Sequence, residues 1–233
     1  MSEVKKNEKV YSRRDVLVTA GKAAAGVAVV TVIPSFLTGC TEKTPELPTK
    51  AVLDYEYMPL STDAPEYPYP YQKLDVATTQ ERAYASFFNK GGCCRAVIDG
   101  VIGQLGDKAG YPWNQVPVDA FANGAGGYGA ASLCGSLAGA ATAIGLAVPP
   151  EDAAKLTAEL FKWYTSTDLP VYQPEVKNEK VVSESVNCKD SVGQFIEVSG
   201  YAMADPERKA RCAGVAADCA AKTAELINTY YNL

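Results

Sequence analysis

The chain has 233 residues and a formal net charge of -5, so a basic face for nucleic acid is not expected. It contains no histidine, which excludes a histidine-based catalytic triad, an imidazole zinc site and a histidine axial ligand for haem. The Cys-x-x-Cys-His sequence that attaches c-type haem is also absent. Cysteine, present in seven copies, is therefore the soft metal ligand and strong nucleophile that the chain offers.

Residues 1–40 have the features of a targeting segment. Arg13-Arg14 and their neighbours resemble a twin-arginine export signal, and the apolar run that follows is short for a membrane span. The run ends at Thr38-Gly39-Cys40, which resembles a bacterial lipoprotein cleavage box. We therefore expect export by the twin-arginine route to the periplasm or cell envelope, with lipidated Cys40 tethering the chain to the membrane surface. The alternative is an uncleaved anchor in which Cys40 is incidental.

Residues 41–75 are rich in proline and tyrosine and predict a linker, because each proline disfavours helix. The second half of this linker is expected to pack on the body of the protein. Residues 76–233 are predicted to form a helical, cysteine-containing redox domain. Its first helix would be capped by Thr78 or Thr79 and would end at Gly91-Gly92.

The rest of this domain also has helical patterns. A second helix is predicted from Cys93 to about Leu105, with apolar residues at helical spacing. After a glycine-rich turn, residues 130–146 are nearly all small or apolar, which predicts a central buried helix. Pro149-Pro150 and Asp205-Pro206 open two further helices. No strand is predicted, so the expected fold is an all-α helical bundle with a buried Gly/Ala-rich central helix.

Six cysteines follow Cys40, and their spacing limits what they can do together. Cys212 and Cys219 lie about 10.5 Å apart along one helix, too far for a direct disulfide, so we expect one of them at a shared site. Cys93 and Cys94 point about 100° apart on a helix, so again one of the two can face such a site. One cysteine from each segment gives four thiols, which suit an iron–sulfur cluster or a structural zinc.

The cysteines also stand in a recognisable context. Cys93 precedes Ala96-Val97, a Gly-Gly-Tyr-Gly stretch follows, and Cys134 lies in Leu-Cys-Gly-Ser-Leu-Ala-Gly before the single cysteines Cys188 and Cys212. This pattern resembles the C-GCAxxG-C-C family, especially its split-Soret cytochrome c-like branch, over about residues 68–230.

The resemblance implies a helical, homodimeric redox protein whose cysteines hold an iron–sulfur cluster. The implied ligands are Cys93, Cys134, Cys188 and Cys212, with Cys94 and Cys219 as alternatives. Split-Soret cytochromes also carry two c-type haems on histidine ligands, and this chain has none of the required histidines, so no haem is expected.

The sequence thus predicts an exported redox protein that transfers electrons to or from an unknown partner. One alternative is a cofactor-free thiol–disulfide protein. Another is a structural or binding lipoprotein whose cysteines are buried as small hydrophobic residues. The sequence names no substrate for any of these.

Overall fold

The computed structural model describes residues 65–233. The predicted signal segment, with Cys40, lies outside this range, as does most of the predicted linker. Among residues 65–233, no helix is both long enough and apolar enough to cross a membrane.

Helices dominate the described part of the chain, which contains seven α-helices and no sheet. They are α1 (Val76–Ser86), α2 (Cys93–Ile98), α3 (Gln104–Ala109), α4 (Gly135–Ala147), α5 (Pro150–Ser166), α6 (Cys188–Ser199) and α7 (Pro206–Tyr230). The prediction of an all-α fold with a buried Gly/Ala-rich helix is confirmed, and α4 is that helix.

The helix boundaries follow ordinary capping chemistry. Pro150 and Pro206 occupy the first position of α5 and α7, where the missing N–H of proline costs no helical hydrogen bond. The predicted cap of α1 is wrong, because Asp75 caps this helix and its Oδ1 accepts a 2.7 Å hydrogen bond from the Thr78 amide. Between α2 and α3, Asp99–Gly103 forms a π-helical segment that the helical pattern does not predict.

Small residues bring the central helices close together. A β-carbon on Gly139 of α4 would lie 2.7 Å from the carbonyl oxygen of Cys94 and 3.1 Å from Val97 Cβ, both in α2. Helix α7 carries a series of fully buried alanines, among them Ala213, Ala216 and Ala220. Helices with such small contact residues can approach closely, which brings together Cys93 and Cys94 of α2, Cys134 before α4, and Cys212 and Cys219 of α7.

The segment before α1 packs on the helices. Asn228 of α7 accepts a hydrogen bond from the Leu74 amide at 3.1 Å, and its own Nδ2 donates to the Leu74 carbonyl at 2.9 Å. The Trp113 indole donates to the carbonyl of Pro70 at 2.8 Å, and the Tyr69 amide donates to Leu146 at 2.9 Å. Residues 65–75, the end of the predicted linker, are therefore part of the folded body.

Candidate metal centre

The fold gathers the four predicted site cysteines into one neighbourhood. The Cys93 thiol interacts electrostatically with the thiols of Cys134, Cys188 and Cys212. Cys188 in turn interacts with Cys134 and Cys212. These cysteines belong to four different chain segments, so the tertiary fold, and not local spacing, brings them together.

A short antiparallel pairing places Cys134 beside Cys188. Leu133 and Asn187 form an isolated β-bridge. The Cys134 amide donates to the Val186 carbonyl at 2.8 Å, and the Cys188 amide donates to the Ser132 carbonyl at 2.6 Å. Directly after this pairing, Cys134 becomes the N-cap of α4 and Cys188 the first residue of α6. Both thiols therefore lie at helix N-termini, where the aligned peptide dipoles favour negative charge.

A left-handed turn lies over Cys93. Gly126, Gly127, Tyr128 and Gly129 all have positive φ angles, between 58° and 69°. The backbone amide of Gly126 favours the thiolate form of Cys93 and so opposes the rise in its pKa. A non-glycine residue in this conformation costs roughly 1–2 kcal/mol, so Tyr128 is held there against its preference. Its side chain is 53% exposed.

Glycines allow the close approach of the helices to the thiols. A β-carbon on Gly135, in the first turn of α4, would lie 2.5 Å from Cys93 Sγ and 2.5 Å from the Gly124 carbonyl oxygen. A β-carbon on Gly124 would lie 2.6 Å from Cys94 Sγ. Both positions would clash with any side chain, so glycine is required on two sides of the adjacent cysteines.

Cys94 and Cys219, the two alternative ligands, are buried in the core next to the other thiols. Cys94 is 2% exposed and interacts with Cys134, and Cys219 is fully buried and interacts with Cys134 and Cys93. Cys93, Cys188 and Cys212 are partly exposed. All six cysteines of residues 65–233 are free thiols.

Burial keeps several of these thiols protonated in the metal-free chain. It is the main reason that the pKa of Cys188 rises to about 11, with the neighbouring thiols of Cys134 and Cys212 adding to the increase. Burial also raises the pKa of Cys93, which the other thiols reinforce and the Gly126 amide opposes. Burial and then Cys134 raise the pKa of Cys94 to about 11. A cation that binds here must therefore displace protons.

Two arginines of α7 supply positive charge. Arg208 Nη1 donates to Cys212 Sγ at 3.8 Å. Arg211 is buried and favours the thiolate form of Cys188. Tyr164 of α5 is also fully buried, and its hydroxyl donates a 2.9 Å hydrogen bond to Ser191 Oγ. Tyr164 also interacts electrostatically with the Cys134 thiol. Sequence reasoning missed Arg211, Ser191 and Tyr164, since nothing in their spacing relates them to the cysteines.

The donor set suits a soft, thiophilic metal group. Thiolates are the usual ligands of iron–sulfur clusters, and helix N-termini, a backbone amide and arginines all stabilise their negative charge. Among residues 65–233, no three Cys, Asp or Glu side chains are gathered to the spacing of ligands to one metal ion. The thiols of the site are thus farther apart than the ligands of a site for a single metal ion.

Similarity to known proteins is found over this same region. The chain is 33% identical over 168 residues to the split-Soret cytochrome c of Desulfovibrio desulfuricans. The aligned region covers 67% of this chain and 60% of the relative. The chain thus spans about 60% of the length of that cytochrome. A solved structure of the split-Soret cytochrome c from Desulfovibrio desulfuricans, reported with a novel iron centre, superposes with a TM-score of 0.67. That match has 31% sequence identity and covers 70% of this chain and 71% of the other.

The family comparison agrees with these relatives. The profile of the family described as "Putative redox-active protein (C_GCAxxG_C_C)" matches residues 92–226, a range that contains the six cysteines from Cys93 to Cys219. The description of this family supports a role in redox chemistry. The chain belongs to the C-GCAxxG-C-C family and is similar to split-Soret cytochrome c.

Proposed function

We propose that the protein is an exported electron-transfer protein that holds an iron–sulfur cluster on the thiolates of Cys93, Cys134, Cys188 and Cys212. Two observations carry the proposal: the Cys93 thiol interacts electrostatically with the other three, and the Leu133–Asn187 pairing places Cys134 beside Cys188. The iron centre of the related cytochrome makes iron the metal to test first. A bound cluster of this kind would accept and donate single electrons.

The residues around the thiols have defined tasks in this proposal. The N-termini of α4 and α6 stabilise negative charge at Cys134 and Cys188. The Gly126 amide does so at Cys93. Cys94 and Cys219 pack behind the ligands and keep that side of the site dry, because both are buried.

The test is to purify the full chain anaerobically and to determine its iron and acid-labile sulfide content, its visible spectrum and its EPR spectrum. We expect stoichiometric iron and sulfide in the wild type. Serine at any one of the four ligand positions should remove most of the cluster. Cys94→Ala and Cys219→Ala are the matched controls and should retain it. Colourless, iron-free wild-type protein after proper maturation would exclude the proposal.

A cofactor-free thiol–disulfide protein is less well supported by the site. Reactive cysteines are those whose pKa is lowered, since the thiolate is the nucleophile. Here burial raises the pKa of Cys93, Cys94 and Cys188. Thiol counting under oxidising and reducing conditions separates the two functions, because this alternative requires a reversible loss of two thiols.

Export and membrane attachment form a separate part of the proposal, since they rest on residues 1–40 alone. Replacing Arg13 and Arg14 together by lysine should leave the protein in the cytoplasmic fraction. Cys40→Ala should release exported protein from the membrane. Unchanged fractionation of both variants would contradict this part and leave the cluster proposal intact.

The family resemblance also leads us to propose a homodimer. Light scattering of the purified protein tests it directly. A monomer at micromolar concentration would contradict the proposed homodimer without bearing on the ligands.

A further inference from the structure

Arg211 is a buried cation beside the thiol site. It lies on α7 directly before Cys212 and is 2% exposed. Its Nη2 donates to Ser191 Oγ at 2.9 Å, and its guanidinium carbon lies 5.6 Å from the centre of the Phe195 ring. Both of these partners are neutral, so they leave the charge of the guanidinium uncompensated.

No carboxylate within residues 65–233 forms an ion pair with Arg211. Its Nε is buried and has no hydrogen-bond partner in this part of the chain. Arg82 provides the contrast within the same molecule. It is also buried, but it pairs with Asp99 at 2.9 Å and with Asp107. A buried guanidinium without an anion is unfavourable, so the fold places Arg211 where another negative charge must compensate it.

The thiol site is the place from which that negative charge can come. Arg211 interacts favourably with the thiolate forms of Cys188 and Cys219. Its partner Ser191, three residues after Cys188 on α6, also accepts a 2.9 Å hydrogen bond from the Tyr164 hydroxyl. Through Ser191, the guanidinium is therefore held against the first turn of α6, which begins at Cys188.

We propose that Arg211 is the built-in counter-charge of the thiolate site: it compensates the negative charge of the metal-bound thiolates and raises the reduction potential of the bound centre. The inference rests on the proposed function, because a metal that binds cysteine replaces thiols by thiolates. Reduction adds one more negative charge to the centre. A fixed cation close to it stabilises the reduced form more than the oxidised form.

The proposal makes opposite predictions for the metal-free and the loaded protein. Without metal, no carboxylate of residues 65–233 pairs with Arg211, so removing its buried charge should not destabilise the fold. With metal, removing the charge leaves the anionic site without compensation. Arg211→Met should therefore unfold at an equal or higher denaturant concentration than wild type when metal-free, and at a lower one when loaded.

The experiment compares wild type, Arg211→Met and Arg208→Met as full chains, each metal-free and after anaerobic reconstitution with ferrous iron and sulfide. Arg208 is the matched control, because it lies three positions earlier on α7 and donates to Cys212 Sγ, but is partly exposed and hence screened by solvent. At a fixed potential, Arg211→Met should lower the ratio of reduced to oxidised centre about tenfold, or about 59 mV for one electron. Arg208→Met should change it less than threefold.

The outcomes separate this inference from the proposed function. If the wild type takes up no iron, the proposed function fails, and the metal-free comparison still decides the role of Arg211. If metal-free Arg211→Met is less stable than wild type or does not fold, Arg211 supports the fold through Ser191 and Phe195, and the inference is overturned. If the loaded variant keeps the wild-type potential, the inference is overturned while the cluster stands. Arg211→Lys, which retains the charge, should keep the ratio of reduced to oxidised centre at a fixed potential within threefold of wild type.

Discussion

At the scale of single residues, the geometry of the thiol site depends on two positions that must lack a side chain. Gly135 and Gly124 face the adjacent cysteines Cys93 and Cys94, and a β-carbon at either position would come within 2.6 Å of a cysteine sulfur. Contacts this short force neighbouring atoms to move. The helix N-terminus at Cys134 can approach Cys93 only because residue 135 is glycine.

Gly135→Ala should therefore disturb the site more than the fold. The new methyl group would overlap Cys93 Sγ and the Gly124 carbonyl, so we expect a loss of about 1–3 kcal/mol in the free energy of unfolding. Because Cys93 must move, iron retention should fall well below that of the wild type. Denaturant titration and iron analysis measure the two effects.

Gly145→Ala is the control on the same helix, since a β-carbon there meets no atom within 4 Å. This substitution should leave iron content unchanged and either preserve or raise stability, because alanine favours helix over glycine by roughly 0.5–1 kcal/mol. Equal iron retention in both variants would show that the contact at Gly135 does not position Cys93.

At the scale of helices and segments, a buried carboxylate holds the segment after α5 against α7. Asp218 Oδ2 accepts the Val171 amide at 2.6 Å, and its Oδ1 accepts the Tyr172 amide and Gln80 Nε2, both at 3.0 Å. The contact is close, because a β-carbon on Gly214 would lie 2.5 Å from the Tyr172 carbonyl oxygen. Asp218 thus joins α1, α7 and the segment that follows α5.

Asp218→Asn should weaken this junction. The amide keeps one acceptor oxygen but turns an N–H group toward a backbone N–H, so one buried donor loses its partner. We expect a loss of about 1–3 kcal/mol in the free energy of unfolding, measured by denaturant titration. Asp119→Asn is the control, because Asp119 is exposed and its ion pair with Arg95 is open to solvent, and it should change stability by less than about 0.5 kcal/mol. Equal effects of the two substitutions would refute the proposed role of Asp218.

The helices were predictable where local chemistry decides them. Asp205-Pro206 opens α7 as expected, because proline is favoured at the first helical position. The π-helical segment Asp99–Gly103 was not predictable, since its cause is tertiary. There, a β-carbon on Gly103 would overlap Arg82 Nη2, so the segment is packed around the buried ion pair between its own Asp99 and Arg82 of α1.

In the candidate site, too, some residues could be predicted from the sequence and others depend on tertiary packing. The sequence singles out Cys93, Cys134, Cys188 and Cys212 as one set, and in the fold the Cys93 thiol interacts electrostatically with the other three. The sequence pattern does not indicate a role for Arg211, since an arginine within a helix is ordinarily a solvated residue. Only the packing of α6 against α7 reveals that this arginine is buried without a carboxylate.

At the scale of the whole molecule, the raised thiol pKa values link stability to pH. An unfolded thiol titrates near pH 8.5, whereas burial raises the pKa of Cys94 and of Cys188 in the folded, metal-free chain to about 11. Between these values the unfolded chain loses protons that the folded chain retains. The free energy of unfolding of the metal-free protein should therefore fall as the pH rises from about 8.5 to about 11.

Metal loading should reverse the sign of this pH dependence for the ligand thiols. Each ligand that is protonated in the metal-free fold must release a proton when the metal binds, so higher pH favours loading. The difference in unfolding free energy between loaded and metal-free protein should grow by about 1.4 kcal/mol per pH unit for each proton released. Anaerobic denaturant titrations of both forms at pH 7, 8 and 9 measure this slope. A slope near zero would mean that the bound metal displaces no thiol protons, and it would remove Cys93 and Cys188 from the ligand set even if the protein contained iron.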